Sequence, residues 1–303
     1  MNDLSPPIAA AGTTRATPGA ADAACILTLS CPDRMGIVAA VSGFLAGQGC
    51  DILDSAQFGD RENGTFFLRM SFLSTYGRSV AQLEAEFAEI ARCFGMRASF
   101  HDARVKTRTL IMVSRFGHCL NDLLYRHRIG ALPVEIPLIV SNHEDFRKLA
   151  EGEGIRFEHL PVTSATKEEQ EKKLEALAAE HRIELVVLAR YMQVLSTSLC
   201  AKLPGRIINI HHSFLPSFKG ARPYQQAHAR GVKLIGATAH YVTAALDEGP
   251  IIEQAVERVN HGLSPEDYVA VGRDVEALVL ARAVKWHAEH RVVINGKRTV
   301  VFA

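Results

Sequence analysis

An amide to bind a developing oxyanion, an imidazole to move a proton and a carboxylate to orient the imidazole are together enough to hydrolyse or transfer an acyl group. The stretch Arg206-Ile207-Ile208-Asn209-Ile210-His211-His212-Ser213-Phe214-Leu215-Pro216 supplies the first two. Its apolar beginning reads as a buried strand, and a side-chain period of two sends Asn209 and His211 to one face while Ile208, Ile210 and His212 take the other. The carboxylate is offered by Leu246-Asp247-Glu248-Gly249-Pro250, a turn that follows a second strand in which Thr238, His240 and Val242 alternate with Ala237, Ala239 and Tyr241. With both loops at the same end of one sheet, Asn209, His211 and Asp247 come within reach of a common ligand. Each piece also has a plainer reading: Asn209 caps a loop, His211 is a hydrogen-bonded semi-buried histidine, and Asp247 with Glu248 makes a solvated acidic turn. No metal is called for, because His211 and His212 leave a strand on opposite faces and make a poor chelating pair.

The elements that must position these groups follow from the apolar periodicity. Beyond residue 104, strands at 109–113, 134–140, 155–160, 185–189 and 207–210 alternate with helices at 118–127, from 144, and at 167–181. That alternation predicts right-handed βαβ units and a doubly wound, mostly parallel sheet, whose ligands lie beyond the carboxyl ends of its strands. A helix at 223–230, strands at 233–242 and 251–259 and a long helix at 264–290 follow, then a hairpin over 291–302 with a type I′ turn at Asn295-Gly296. The front half reads as strand 25–30, helix 35–46, strands 50–58 and 65–73, helix 79–93 and strand 97–103. Its order is βαββαβ, a ferredoxin-like split unit in which Gly47 and Gly49 cap the first helix. The turn Asp33-Arg34-Met35-Gly36-Ile37 leads into that helix, and a helix N-terminus suits the carboxylate of a small amino acid. A domain used only for contacts between subunits is the alternative. The expected division is a flexible tail at 1–22, the split unit at 23–103 and the α/β domain at 104–303.

Composition limits the classes of function. The 303 residues are 48% hydrophobic and 22% charged, the proportions of a chain that builds full cores rather than a disordered one. A formal net charge of +1 gives no electrostatic footprint for a nucleic acid or an anionic bilayer, and no apolar run approaches the roughly 20 residues of a membrane span. The cysteines at 25, 31, 50, 93, 119 and 200 have no short paired spacing and read as buried reduced thiols. Residues 1–22 lack the apolar core of a secretory signal, so a cytoplasmic location is expected.

Four stretches resemble the folate-dependent formyltransferase fold: Asn209-Ile210-His211-His212-Ser213-Phe214-Leu215-Pro216, Gly220-Ala221-Arg222-Pro223-Tyr224, Gly236-Ala237-Thr238-Ala239-His240-Tyr241-Val242 and Leu246-Asp247-Glu248-Gly249-Pro250-Ile251-Ile252. Cys31-Pro32-Asp33-Arg34-Met35-Gly36-Ile37-Val38 and the βαββαβ order resemble an ACT domain. The two blocks together cover nearly all of the chain after residue 22 and are most similar to the formyltetrahydrofolate deformylases.

That resemblance implies a hydrolase that converts 10-formyltetrahydrofolate and water to formate and tetrahydrofolate, feeding purine biosynthesis and balancing the one-carbon pool. It implies no cofactor and no metal, and a homo-oligomer, dimer or tetramer. Catalysis falls on Asn209, His211 and Asp247, while His240 matches a histidine of the same pocket. Arg190, Tyr191, Met192, Val194 and Leu195 match the segment lining the pterin pocket, to which Val242 and Leu246 add the wall before Asp247. In the ACT-like half an effector site is implied at Asp33, Arg34, Met35, Gly36 and Ile37. The general base stays open between His211 and Asp247, because coupled groups titrate as a unit. The alternatives are a formyltransferase that uses the same triad on an amine acceptor and a non-catalytic amino-acid or folate sensor; the intact Asn209, His211 and Asp247 set stands against the sensor, which need not retain that chemistry. Against the transferase stands Ser114-Arg115-Phe116-Gly117-His118-Cys119-Leu120-Asn121, with one Gly where transferases of phosphorylated amines carry a Gly-rich cradle.

Overall fold

In the computed structural model, which describes residues 23–215 and 223–303, the chain divides into two compact units. Residues up to Ser55 with Arg61–Ala103 make one, and Ala56–Asp60 with Arg104–Ala303 the other. The tail expected at 1–22, Pro216 and the Gly220-Ala221-Arg222 part of the second motif lie outside the described residues.

The first unit is built from Ala23–Pro32 (β1), Ile37–Gly47 (α1), Cys50–Asp60 (β2), Thr65–Ser74 (β3), Val80–Phe94 (α2) and Arg97–Asp102 (β4). β1 is an inner strand, antiparallel to both β3 and β4 in the sheet order β2-β3-β1-β4. Its alternate residues Cys25, Leu27, Leu29 and Cys31 join Val41 and Leu45 of α1 and Leu83 and Phe87 of α2 in one core. The helices start and stop where local chemistry dictates. Ser79 and Gln82 form a reciprocal capping box before α2, Gly95 ends it at φ 63°, and Gly49 at φ 70° follows the C-cap Gln48 of α1. The expected βαββαβ order is the observed one.

The second unit runs Thr107–Val113 (β5), His118–Arg128 (α3), Val134–Ser141 (β6), Arg147–Gly152 (α4), Arg156–His159 (β7), Lys167–Glu180 (α5), Leu185–Leu188 (β8), Thr197–Lys202 (α6), Ile207–His211 (β9), Pro223–Ala229 (α7), Leu234–Tyr241 (β10), Ile251–Arg258 (β11), Pro265–Ala288 (α8), Val292–Asn295 (β12) and Arg298–Val301 (β13). Seven strands order as β11-β10-β9-β8-β5-β6-β7. From β9 to β7 the neighbours are parallel, and β10 is antiparallel to both β9 and β11. Both faces are covered, so β5 inside the sheet buries both of its sides: Leu110 and Met112 pack with Leu174 and Leu199 on one side, Ile111 and Val113 with Val279 and Leu280 of α8 on the other. Among the described residues no helix is long and apolar enough to cross a membrane.

Three expectations need correction. α6 has only six residues behind its N-cap Ser196 and was too short to leave a periodic signal. The final hairpin pairs Asn295 with Arg298, so Gly296 and Lys297 form its corner, and a glycine in the first central position is the type II′ signature rather than type I′. Of the cysteines, Cys25, Cys31, Cys119 and Cys200 are buried, but Cys50 is half-buried and Cys93 is exposed on α2, where no other described residue covers it enough to bury it.

The buried Tyr241 and the half-buried His287 give a pH signature. The Tyr241 hydroxyl donates to His287 Nδ1 at 2.7 Å, and loss of solvation around the ring, with Arg206 nearby, lowers the His287 pKa to about 4. The folded state therefore resists a proton that the unfolded chain accepts below about pH 6.5. Stability is fully present above that pH and falls as the pH drops towards 4, by about 3 kcal/mol from this group. Urea midpoints measured from pH 7 to 4.5 should decline accordingly; a flat profile down to pH 5 contradicts the assignment.

Candidate active site

β9 carries Asn209 and His211 on one face, and β10 sets His240 opposite Asn209 and Thr238 opposite His211. The other face of the same strands, Ile208, Ile210, Ala237 and Ala239, is sealed in the core beneath α8. The alternation thus separates a polar face from an apolar one as expected. The position of the acidic loop differs from expectation. Because β10 is antiparallel to β9, it ends beside Ile208, at the start of β9, so the two loops leave the sheet at opposite ends. Asp247 reaches His211 because the segment from Val242 to Pro250 folds back over the sheet face. Val242 N–H donates to the Ile207 carbonyl at 2.9 Å, Tyr241 N–H to that of Pro250 at 2.9 Å, and Asp247 sits at φ 56°.

The result is a compact polar cluster. Asp247 Oδ2 lies 3.3 Å from His211 Nδ1, and Oδ1 lies 3.7 Å from His240 Nε2. These two imidazoles, His211 first, hold the Asp247 carboxyl well below the usual carboxylate range against the opposing effect of burial. His240 Nδ1–H donates to the Tyr241 carbonyl at 2.9 Å, and its Nε2 lies 3.3 Å from Asn209 Nδ2. Both histidines are buried, and among the described residues His211 Nε2 has no hydrogen-bond partner. A carboxylate on Nδ1 fixes the tautomer that leaves a lone pair on that nitrogen. The loop after His211 is pinned by residues the sequence reading did not single out. Thr238 Oγ1 donates to the Ser213 carbonyl at 2.9 Å and accepts from Leu215 N–H at 3.0 Å, and Gln254 Nε2 bridges Thr238 and Leu215.

A cavity of about 240 Å³ opens over this cluster. Its wall contains every residue assigned to the pterin pocket from sequence: Arg190, Tyr191, Met192, Val194 and Leu195 on one side, His240, Val242 and Leu246 on the other. Gln193, His212 and Thr243 to Ala245 line it as well. The Arg190–Leu195 loop follows β8 and is fastened by Met192 N–H to Ser114 Oγ at 3.0 Å, with Arg190 at φ 63°. Met192, Val194 and Leu246 are more than half exposed, an apolar rim with no core to fill. Tyr191 differs: it is buried, accepts from Gln170 Nε2 at 3.3 Å, and burial pushes its phenol up to about 12. His212 is driven to about 4 by burial and by Arg190, so it stays neutral beside the cluster.

Behind Arg190 lies Glu276, an acid on the buried stripe of α8 with Val275, Val279 and Leu280. Tyr224 donates to its Oε1 at 2.6 Å, and His118 Nε2 and Arg190 Nε approach Oε2 at 2.8 and 3.2 Å. Burial raises its pKa, but His118, Arg190 and Tyr224 outweigh that and keep it low. A glutamate in an apolar helix stripe was the sequence signal for this network. His118, Cys119 and Glu276 place ligand atoms within 4.8 Å of one another, yet they fit a metal poorly: Glu276 is already engaged by a guanidinium, and burial pushes the Cys119 thiol up.

In the first unit, Asp33 to Ile37 do form the turn into α1. Gly36 is the N-cap at φ 91°, and no side chain caps the helix. Met35 is exposed, Ile37 is buried with its side chain in the core, and the Arg34 guanidinium is tied to the Cys93 carbonyl and stacks 4.4 Å from the Phe94 ring centroid. Asp33, Arg34, Met35 and Gly36 are all exposed there.

Residues 107–284 match the formyl transferase family and residues 24–101 the ACT domain. The formyltetrahydrofolate deformylase of Corynebacterium sp. (strain P-1) is 51% identical over 277 residues, covering 91% of this chain and 97% of its own. The chain belongs to the formyltetrahydrofolate deformylase family. The deformylase of Escherichia coli (strain K12) is 40% identical over 278 residues, with 91% and 97% covered. A formyltetrahydrofolate deformylase crystal structure from Burkholderia mallei superposes with a TM-score of 0.89 at 54% identity, covering 93% of this chain and all of that one. A glycinamide ribonucleotide transformylase from Symbiobacterium toebii matches at a TM-score of 0.62 and 31% identity over 67% of this chain and 97% of its own. The deformylase likeness thus spans both units, and the transformylase likeness covers a smaller part of the chain.

Proposed function

We propose that this chain hydrolyses 10-formyltetrahydrofolate to formate and tetrahydrofolate, with Asn209, His211 and Asp247 as its catalytic residues. The observation that carries the reading is the buried His211 imidazole, held by Asp247 at Nδ1 with no partner for Nε2 among the described residues, in the wall of an apolar-rimmed pocket. A pterin seated between the Arg190–Leu195 loop and the Val242–Leu246 wall brings the formyl carbon over this cluster. Asp247, strongly acidic, is a weak proton acceptor, so His211 Nε2 takes the proton as water adds to the formyl carbon. The carbonyl oxygen becomes an oxyanion and accepts from Asn209 Nδ2–H, while Asp247 stabilises the imidazolium. On collapse the bond from carbon to N10 breaks, His211 returns its proton to that nitrogen, and formic acid ionises to formate. This chemistry needs no metal or cofactor.

The reading extends to supply of formate for purine biosynthesis, to a cytoplasmic homo-oligomer and to a small amino acid bound at Asp33 to Ile37 by the N-terminus of α1. Calorimetric titration of the full chain with the common amino acids tests the last; no heat from any of them removes it. The central test is formate release from the formyl-folate with no acceptor present. Release should proceed at the same rate with or without glycinamide ribonucleotide, because the loop after β5 offers exposed Phe116 and Arg115 rather than a glycine-rich cradle. Saturable formyl transfer to that amine would replace the hydrolase with a transferase.

A further inference from the structure

Two cavities meet at Arg190. The first holds the catalytic cluster, and the second, of about 440 Å³, runs between the loop after β5, α7 and α8. They share Arg190, Met192 and His212. The hydrolytic steps above use no group in the second cavity, yet its charge is lopsided. The Arg190 side chain is 10% exposed, and among the described residues its Nε makes no hydrogen bond, only the ion pair to Glu276. Arg273 of α8 is exposed, and among the described residues it has no ion pair. The two guanidinium carbons lie 5.6 and 5.7 Å from the centroid of the Phe116 ring. The one carboxylate on this wall, Glu276, is already shared with Tyr224 and His118, so two cations line a largely apolar space that adjoins the place where an anion is made.

We propose that this second cavity is the passage through which formate leaves, with Arg190 as its inner and Arg273 as its outer anion-binding group; the proposal rests on the hydrolase reading above. A folate seated among Met192, Val194 and Leu246 fills the first cavity, so a formate released beside His211 cannot retreat past the pterin. The second cavity begins one residue away, at His212. There His212 is neutral and does not hold the anion. Arg190 attracts it, but competition from Glu276 keeps that site from becoming a trap, and Arg273 receives it at the solvent side. A space much larger than formate also lets water return to the site by the same route.

The passage makes formate and folate simultaneous rather than competing ligands. Calorimetric titration of sodium formate into the full chain, alone and saturated with tetrahydrofolate, should give closely similar affinities. Arg273→Gln should weaken formate binding about tenfold or more in both titrations, and Arg273→Lys should keep most of it. In steady-state assays formate should inhibit noncompetitively against the formyl-folate, and tetrahydrofolate competitively. Loss of formate binding once tetrahydrofolate is present, or equal affinity in wild type and Arg273→Gln, would overturn the passage. A thermal melt of each variant separates misfolding from lost binding; if Arg273→Gln does not fold, the tetrahydrofolate comparison on the wild type decides. The titration needs no turnover, so an inactive wild-type chain would count against the hydrolase reading alone.

Discussion

Asp247→Asn is expected to lower deformylation turnover by about two to three orders of magnitude, with the Michaelis constant for the formyl-folate within a few-fold of wild type. Asparagine is the substitution that isolates the charge, because Asp247 sits at φ 56° and asparagine tolerates the left-handed region better than most residues. The loop should therefore keep its path while His211 loses the anion 3.3 Å from Nδ1. Without that anion the imidazolium formed in the transition state is uncompensated in a buried site, and the amide can hold the wrong tautomer. His211→Ala and Asn209→Ala should lose turnover to a similar extent, through the proton acceptor and the oxyanion donor respectively. The three losses should not add, since the residues act as one unit. Near wild-type turnover in Asp247→Asn would show that the carboxylate is not part of the reaction. A large rise in the Michaelis constant with unchanged turnover would instead make it a folate-binding group.

Gly249→Ala should be nearly as damaging although Gly249 touches no substrate. A Cβ at this position would overlap the Tyr241 carbonyl oxygen and stand 3.3 Å from Thr243 Cγ2. The obstacle is backbone in a paired strand, so it cannot swing aside as a side-chain tip would. Relief requires breaking the Tyr241 N–H to Pro250 carbonyl bond and lifting the turn that carries Leu246 and Asp247. Forced steric overlap of this kind costs about 1 to 3 kcal/mol or more, which the loop can avoid only by leaving the pocket. Turnover should fall by about two orders of magnitude and the Michaelis constant should rise as well, because Leu246 belongs to the pocket wall. Unchanged kinetics with an unchanged melting temperature would mean that the fold-back does not depend on close backbone approach.

The same loop marks the boundary of what sequence can specify. Local rules were sufficient for most elements: the period of two in β9 placed Asn209 and His211 on one face, the period of 3.6 gave α1, α2 and α8, and Ser79 and Ser264 with partners three residues on marked helix starts. These signals are carried by neighbours in the chain, so one sequence suffices to read them. The residue types at 209, 211 and 247 also indicated acyl chemistry before any fold was known, because few other side chains can perform it. The direction of β10 was not legible. Parallel and antiparallel neighbours share the same side-chain period, and only the register of Thr238 against His211 shows that the acidic loop starts from the far end and doubles back. Glu276 tells the same story more sharply: an acid in an apolar stripe signals something unusual, but its partners His118, Arg190 and Tyr224 come from three distant segments. A buried charge is stable only where such partners converge. That convergence is a property of tertiary packing, and it decided where Arg190 stands between the two cavities.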